Sequence, residues 1–268
     1  MIEATLWLFG ACLVLGSCVG LLAGLLGIGG GLLVVPALSV LLPWAGISAS
    51  LVMPMALATS LASIVMTSAS SAYTHYRLGN VQPAVVKTLL PGVLLGGLMG
   101  SAIADRLPTE YLPKVFGVIV LFLALQMALS LRVKPAKPLP GPARNVVSGG
   151  LIGMVASLAG IGGGSLTVPY LNYYGVEMRR AIGSASLCGV FLALSGMTGF
   201  IFFGLTQTET LPRFSVGYVY LPALIGIVGT SVFTTRYGAR LASRLPTPTI
   251  KRVFAVFLLL VGASMFIS

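Results

Sequence analysis

The chain has 268 residues, a formal net charge of +11, 57% hydrophobic residues and only 8% charged residues. With a mean hydropathy of +1.02, this composition excludes a soluble globular protein and indicates an integral membrane protein. The apolar stretches are continuous rather than alternating, which predicts a helical bundle and not a β-barrel. The basic residues are scattered among short loops, so we expect a lipid bilayer as the environment and no nucleic acid as a partner.

In chain order, the apolar runs form two series of five segments. The predicted segments are 5–26, 31–42, 47–74, 84–104 and 111–131 in the first series, and 145–160, 164–174, 181–204, 216–235 and 251–267 in the second. The segments that begin at 31 and 164 hold about a dozen residues, and at about 1.5 Å per residue they are too short for a core of about 30 Å. We predict half-helices or re-entrant arms there.

A linker rich in proline and basic residues separates the two series. Residues 132–144 contain four prolines and four Lys or Arg residues, so they cannot continue a helix and are expected to stay on the cytoplasmic side. The predicted organisation is a first transmembrane repeat over 1–131, a cytoplasmic linker over 132–144 and a second transmembrane repeat over 145–268.

One glycine-rich string occurs twice, once in each half. It covers Gly27–Gly31 and again Gly160–Gly164, and each copy is followed by a proline, Pro36 or Pro169, so the two copies share one offset of 133 residues. Glycine runs are poor helix formers. A backbone break inside apolar membrane sequence is tolerated only where protein buries it or where it lines a cavity. Two matching breaks therefore predict a shared site.

Short-loop Lys and Arg, which tend to remain in the cytoplasm, set the predicted orientation. The loop after His75 and Arg77 is then cytoplasmic, whereas the matching loop around Glu209 and Arg213 is outside. This opposition predicts inverted topology, a plan typical of secondary transporters that bind substrate between the repeats. The predicted fold class is an all-α integral membrane protein with two inverted-topology repeats of about five helical segments each, with short half-helices after the Gly-rich breaks.

Each break precedes a short helix whose first turn presents unpaired N–H groups and the positive end of the helix dipole. Such an end attracts anions, and glycine lets a small oxyanion approach the backbone without a buried cationic side chain. Ser165 and Thr167 add hydroxyl donors in the second half. The predicted substrate-binding residues are Gly27, Gly29, Gly30, Gly31, Gly160, Gly162, Gly163, Gly164 and Ser165, together with the helix hydroxyls Thr59, Ser60, Ser184 and Ser186.

A structural interpretation of the same residues stays open. Small residues let membrane helices approach closely, so the glycines would also serve helix packing. Membrane Ser and Thr commonly bond their own helix or a neighbouring one. The repetition, the following proline and the short downstream segment coincide at both glycine strings, and this coincidence favours a site there.

Residues that catalysis or proton coupling would need are absent from the apolar segments. The five acidic residues fall at predicted segment ends or in loops: Glu3, Asp105, Glu110, Glu177 and Glu209. No carboxylate is therefore placed to relay protons at the bilayer centre. The chain has one histidine and no Walker motif, and its three cysteines lack metal-ligand spacing. We expect no enzyme activity, no catalytic residue, no metal site and no cofactor.

The paired glycine strings with their prolines, the Ala58–Leu61 and His75–Gly79 stretches and the layout of the two halves resemble the sulfite exporter TauE/SafE family of membrane permeases. The resemblance covers nearly the whole chain. It implies a multi-pass protein of the plasma membrane, in bacteria the inner membrane. It also implies export or uptake of a small sulfur-containing anion such as sulfite or an organosulfonate.

The leading hypothesis is a secondary transporter that binds the anion at paired half-helix N-termini and exposes it to each side of the membrane in turn. Two alternatives stay open: a passive anion channel built on the same scaffold, and a membrane scaffold without transport activity. The sequence does not identify the sulfur anion, the direction of transport or a coupling ion. Nor does it decide between a monomer and a homo-oligomer.

Overall fold

The structure is a computed structural model that describes residues 2–26, 30–128, 139–207, 209–242 and 247–266. Over these residues it contains ten α-helices and one two-stranded hairpin. The helices are α1 Ile2–Leu26, α2 Gly31–Trp44, α3 Ala49–Arg77, α4 Pro83–Arg106, α5 Leu112–Ala128, α6 Pro142–Leu158, α7 Gly164–Tyr173, α8 Met178–Thr206, α9 Leu221–Ala242 and α10 Thr247–Ser264. The strands, β1 Ser215–Val216 and β2 Val219–Tyr220, pair antiparallel between α8 and α9.

The predicted all-α membrane fold is confirmed. Three helices, α3, α4 and α8, are long and apolar enough to cross a membrane, and shorter apolar helices accompany them. Large apolar side chains such as Leu95, Val118 and Phe202 are exposed on the outside of the bundle. A soluble monomer rarely exposes extensive apolar surface, whereas a bilayer covers it with lipid.

Helices α2 and α7 are the two short helices predicted after the glycine strings. α2 has 14 residues and α7 has 10. At 1.5 Å per residue they are about 21 Å and 15 Å long, less than the hydrocarbon core of a bilayer. Each has a proline in its interior, Pro36 or Pro169, which removes one hydrogen bond within the helix. Both are half-helices by length.

The start of the second series differs from its predicted boundary. α6 begins at Pro142, inside the predicted linker, because proline is favourable at the first helical position, where its missing N–H is not needed. Residues 132–138 lie outside the described residues. The division into two repeats and a cytoplasmic linker therefore stays a prediction.

The segment predicted from residue 216 does not begin as a helix. The hairpin of β1 and β2 occupies its first residues, and α9 starts at Leu221. Phe214 and Gly217 flank and connect these strands with positive φ values of 67° and 53°, which a right-handed helix does not permit. Hydropathy alone does not reveal this difference, because Val216, Val219 and Tyr220 are apolar enough to extend the predicted segment.

Helices α4 and α6 pack backbone against backbone. A Cβ on Gly92 would clash with the Val146 carbonyl, and a Cβ on Gly96 would clash with the Gly150 carbonyl. Glycine allows this approach in membrane helices. The contacts advance together along both helices, so α4 and α6 run parallel.

Helices α1 and α9 form an equivalent pair. Gly16 lies against Ile227, and Gly20 lies against Ser231, with the same clash expected for an added Cβ. These contacts also advance together, so α1 and α9 run parallel. Because the repeated strings make α6 the counterpart of α1, and α9 the counterpart of α4, the same type of contact occurs twice in the fold.

The long helices α3 and α8 cross at the centre of the bundle and run antiparallel. The hydroxyls of Ser71 and Ser186 lie 3.0 Å apart. Ten residues earlier in α3, the side chain of Leu61 lies against Gly196, which is ten residues later in α8. The two helices therefore advance in opposite directions through their contact.

Helices α5 and α10 form a second antiparallel pair. Gly117 lies against Met265, whereas Gly262, three residues earlier in α10, lies against Leu121, four residues later in α5. In the order of the repeats, α10 is the counterpart of α5, as α8 is the counterpart of α3. Both of these helices therefore pack on their own counterparts in the opposite direction.

The α4–α6 contact can be tested at two of its glycines. Gly96→Ala places a methyl group against the Gly150 carbonyl, so we expect the two helices to separate and the free energy of unfolding to fall by about 1–3 kcal/mol, the usual cost of overpacking. Gly150→Ala is the matched control, because the nearest atom to its Cβ would be 3.7 Å away. Thermal unfolding of both purified variants in detergent measures the difference; equal melting temperatures would contradict the contact.

Candidate functional site

The second break is built on a helix end that requires glycine. α6 ends at Leu158, and Gly160 follows with a φ of 55°, in the left-handed region that glycine adopts without strain. Its N–H donates to the Ser157 carbonyl at 3.1 Å, and the Ile161 N–H donates to the Ala156 carbonyl at 2.9 Å. These two bonds form the Schellman motif, so Gly160 terminates α6.

The first turn of α7 presents backbone donors without acceptors. The Ser165 N–H donates to the Gly162 carbonyl at 3.3 Å, and the Thr167 N–H donates to the Gly163 carbonyl at 2.8 Å. No hydrogen bond joins four other N–H groups of this turn to a described residue: those of Gly162, Gly163, Gly164 and Leu166. These groups lie at the positive end of the α7 dipole and are oriented as anion donors.

The first break is described only at its last two residues. Gly27, Ile28 and Gly29, of which the two glycines are predicted binding residues, lie outside the described residues. Gly30 precedes α2 with a φ of 74°, and its carbonyl accepts the Leu33 N–H at 3.1 Å. Gly31 is the first residue of α2.

The described end of the first break touches the second break. A Cβ on Gly31 would lie 2.7 Å from the Gly160 carbonyl oxygen and 3.2 Å from the Cα of Ile161. The Ser60 hydroxyl donates to the same Gly160 carbonyl at 2.7 Å and lies 3.5 Å from the Gly31 carbonyl. The start of α2, the end of α6 and the middle of α3 therefore meet at one place.

The start of α7 borders on both long helices. A Cβ on Gly163 would lie 3.1 Å from the Cα of Gly189 in α8. A Cβ on Gly189 would in turn lie 3.5 Å from the hydroxyl of Ser68 in α3. The first turn of α7 therefore begins beside the α3–α8 crossing.

Three buried hydroxyls around the second break have no hydrogen-bond partner. They belong to Ser157 in the last turn of α6, and to Ser165 and Thr167 in α7; the remaining unpartnered hydroxyl among the described residues is Ser215 in the hairpin. Ser157 is 0% exposed and Thr167 is 1% exposed. A buried hydroxyl without a partner costs about 1–3 kcal/mol. Such groups require an explanation, and a ligand would provide one.

These hydroxyls are found in one half only. At the offset of 133 residues, Ser157 corresponds to Gly24 in the first half. Ser165 and Thr167 correspond to Leu32 and Val34. The second break therefore carries side-chain donors that the first break lacks.

Two of the predicted helix hydroxyls accept backbone N–H groups across the two halves. The Tyr220 N–H donates to Thr59 Oγ1 at 3.0 Å, and the Gln82 N–H donates to Ser184 Oγ at 2.9 Å. Both donors immediately precede a helix, α9 or α4. Each acceptor lies on the long helix of the other half, so the two bonds are equivalent under the repeat.

Ser186 and Ser60 have different surroundings. Ser186 Oγ donates to the Ile182 carbonyl at 2.9 Å and lies 3.0 Å from the Ser71 hydroxyl, so it belongs to the contact between α8 and α3. Ser60 bonds to the Gly160 carbonyl at the breaks. Among the four predicted helix hydroxyls, Ser60 is the one that joins the two glycine strings.

The described carboxylates near the outer ends of the helices are bound by hydroxyls. Asp105 accepts the Tyr218 hydroxyl at 3.1 Å, and Glu209 accepts the Ser50 hydroxyl at 2.7 Å. Burial, with the negative charge of Asp105, raises the pKa of Tyr218, so its phenol stays protonated and remains a donor. In the described part of the chain, no cluster of three or more His, Cys, Asp or Glu residues could hold a metal ion.

A cavity of about 340 Å³ lies at the other end of α6. It is lined by Pro140, Ala143, Arg144, Val147, Ser148 and Tyr174. Arg144 is about 20 Å from the end of α6 at 1.5 Å per residue. This cavity is therefore separate from the two breaks.

Sequence reasoning missed Ser157 and a polar network of Asn145, Tyr170 and Thr88, in which the Tyr170 hydroxyl donates to Asn145 and Asn145 donates to Thr88. Ser157 stands three residues before Gly160, in the same helical turn, and this spacing is a signal that could have found it. Asn145 had a signal too, because a buried amide in a membrane helix is costly unless it is bonded.

Comparisons with known proteins agree with this architecture. The family model described as "Sulfite exporter TauE/SafE" matches residues 12–265. A protein named "Probable membrane transporter protein" from Haemophilus influenzae is 43% identical over 258 residues, which cover 96% of this chain and 97% of that protein. A protein of the same type from Methanocaldococcus jannaschii is 25% identical over 257 residues, covering 95% and 94%.

A third relative, "Probable membrane transporter protein YunE" from Bacillus subtilis, is 24% identical over 273 aligned positions, which cover 94% of this chain and 95% of the relative. No solved structure gives a significant match. The family match extends over both halves, including α6 and α7 with the second break. The chain therefore belongs to the sulfite exporter TauE/SafE family and is a multi-pass membrane transporter.

Proposed function

We propose that the chain is a secondary carrier that binds a small sulfur-containing anion at the two breaks and exposes it to each side of the membrane in turn. The observation that carries the proposal is the set of three buried hydroxyls without partners, on Ser157, Ser165 and Thr167. An anion with several acceptor oxygens would satisfy the donors nearest to it. Binding would then remove a cost that the empty site carries.

The donors match an oxyanion better than a cation or an apolar ligand. Sulfite and sulfonate groups present three oxygens, each able to accept hydrogen bonds, and the first turn of α7 offers both N–H and hydroxyl donors. Hydrogen bonds to a charged group are worth about 1.5–3 kcal/mol each. The described contacts of Gly31, Gly160 and Gly163 are with glycine, serine and apolar residues, so recognition would rest on backbone and hydroxyl donors. The family name supports sulfur as the central atom.

The proposed carrier is built from two halves of inverted topology. The parallel pairs α1–α9 and α4–α6 exchange under the repeat, whereas α3–α8 and α5–α10 are each a helix packed antiparallel on its own counterpart. A twofold axis that exchanges two antiparallel spanning helices lies in the plane of the membrane. This geometry supports inverted repeats, the arrangement that suits alternating access.

Two equivalent backbone bonds are candidate gate contacts. Gln82, after α3, bonds to Ser184 of α8, and Tyr220, before α9, bonds to Thr59 of α3. Because α3 and α8 run antiparallel, the connections that follow them lie at opposite ends of the crossing. We assign one bond to each face of the membrane, so that opening towards one side breaks one contact and keeps the other.

Export needs no coupling ion in this scheme. In an inside-negative cell, outward movement of an anion is downhill by about 2.3 kcal/mol per charge at 100 mV. The described basic residues that the predicted topology places in the cytoplasm are Arg77, Lys87, Arg144, Arg179 and Arg180. Their positive potential would concentrate anions at that entrance.

The binding site is tested by Thr167→Val, which removes one hydroxyl with little change in volume. We expect anion affinity to fall by about tenfold or more, because a hydrogen bond to a charge is lost, while the unliganded protein becomes no less stable, because its unpartnered hydroxyl is gone. Thr198→Val is the matched control, since the Thr198 hydroxyl is exposed and bonds to its own helix. Ligand-induced thermal shifts with sulfite, sulfate, thiosulfate, taurine, sulfoacetate and carboxylates measure both effects.

The same screen also bears on the two alternatives. Wild-type affinity of the Thr167 variant for every bound anion would exclude this site. A wild-type melting temperature that no anion in the panel changes would favour a scaffold without transport activity.

Carrier and channel activity are separated by counterflow in proteoliposomes. Vesicles loaded with unlabelled sulfite or sulfonate should transiently accumulate the labelled anion above its external concentration, because a carrier exchanges the two species at one alternating site. Vesicles without protein are the control. Non-saturating flux without transient accumulation would contradict the carrier and favour a passive channel.

A further inference from the structure

Three side chains form a directed hydrogen-bond chain that we name the α7 tether: Tyr170, Asn145 and Thr88. The Tyr170 hydroxyl donates to Asn145 Oδ1 at 2.7 Å, and the Asn145 amide donates to Thr88 Oγ1 at 3.1 Å. The Thr88 hydroxyl then donates to the Val85 carbonyl at 2.8 Å. Every donor in the chain has an acceptor, and the last acceptor is backbone, so the direction of each bond is fixed.

The tether is anchored in one of the close backbone contacts of the fold. Asn145 is 3% exposed and is followed by Val146, whose carbonyl lies against Gly92 at the α4–α6 contact. A buried amide without partners is costly. Removing either hydroxyl partner would leave part of Asn145 unsatisfied between two closely packed helices. Asn145 is therefore well held, and it can hold Tyr170 in turn.

Helix α7 needs such support. It has 10 residues with Pro169 in its interior, and isolated helices of this length are marginal even without a proline. Tyr170 directly follows Pro169, whereas Ser165 and Thr167 precede it. The tether thus fixes the half-helix just beyond its weakest point, and with it the direction in which the first turn presents its donors.

The first half has no counterpart of the tether. At the repeat offsets of 133 and 138 residues, Cys12 corresponds to Asn145, Ala37 to Tyr170 and Gly226 to Thr88. Cys12 is 0% exposed and packs against Gly226. An apolar contact therefore stands where the second half has a polar connection, and α2 lacks the bond that holds α7.

We infer that Asn145 is a positioning residue for the anion site: through Tyr170 it fixes α7 to the α4–α6 pair, so that α7 and its donors move with that pair. The inference rests on the proposed function for the identity of the ligand. The attachment of α7 does not depend on the ligand and can be measured in the unliganded protein.

The test compares Tyr170→Phe with Tyr174→Phe. The two rings are 5.1 Å apart, and the Tyr174 hydroxyl makes no hydrogen bond with a described residue, so the control removes the same atom without breaking the tether. Hydrogen exchange of the peptide over 164–173 in the purified, unliganded protein should accelerate in Tyr170→Phe and stay at the wild-type rate in Tyr174→Phe. Exchange in α8 should be unchanged in both variants.

The functional readout is the KM for the anion selected by the binding screen. We expect Tyr170→Phe to raise KM by about three- to tenfold, the range for one ordinary hydrogen bond, with Vmax retained within about twofold. Asn145→Leu should have the same effect, and the double variant should be no worse than either single variant, because all three break one connection.

Each other outcome overturns a defined part of the inference. Wild-type exchange in Tyr170→Phe would mean that the tether does not hold α7. Faster exchange with an unchanged KM would mean that α7 is held but does not position the anion. If the wild-type protein binds no anion in the panel, the proposed function fails, whereas the exchange measurement still decides whether α7 is tethered.

Discussion

The polar backbone at the two breaks sets the constraint on which the rest of the structure depends. Inside a bilayer, N–H and C=O groups must be satisfied by protein or must line a cavity. The carbonyl side of the second break is satisfied: the Schellman motif at Gly160 uses the last carbonyls of α6, and Ser60 donates to the carbonyl of Gly160 itself. The donor side is different. Amides at the start of α7 and the hydroxyls of Ser165 and Thr167 have no described partner. This imbalance of donors over acceptors is the physical basis for proposing an anion.

The scaffold is repeated, whereas the site is not. Equivalent helices pack in equivalent ways in both halves, through glycine contacts and through the Thr59 and Ser184 bonds. The polar residues around α7 have apolar counterparts around α2. A repeat that keeps its packing residues while its polar residues diverge preserves a shared mechanical framework. Under the proposed function, one half would supply most of the donors and the other would supply a close-packed wall against them.

Sequence patterns predicted the segments well, because apolar runs, prolines and glycine strings directly reflect the bilayer and the breaks. They placed all ten helices, with α2 and α7 short. They did not predict the hairpin before α9, whose residues are as apolar as a membrane segment. They also could not show that Gly160 is a helix cap, that Thr59 and Ser184 accept backbone bonds, or that Asn145 reaches Tyr170 and Thr88. Those facts depend on contacts between residues distant in sequence, which periodicity and hydropathy do not encode.

The central claim is that an oxyanion occupies the first turn of α7, beside the start of α2. The most direct measurement is a structure of the protein with selenite, a selenium analogue of sulfite, located by its anomalous scattering. The account predicts a selenium peak whose oxygens lie within hydrogen-bond distance of the Ser165 or Thr167 hydroxyl and of the amides at Gly163 and Gly164. Selenite found only elsewhere, for example in the cavity beside Arg144, would contradict it.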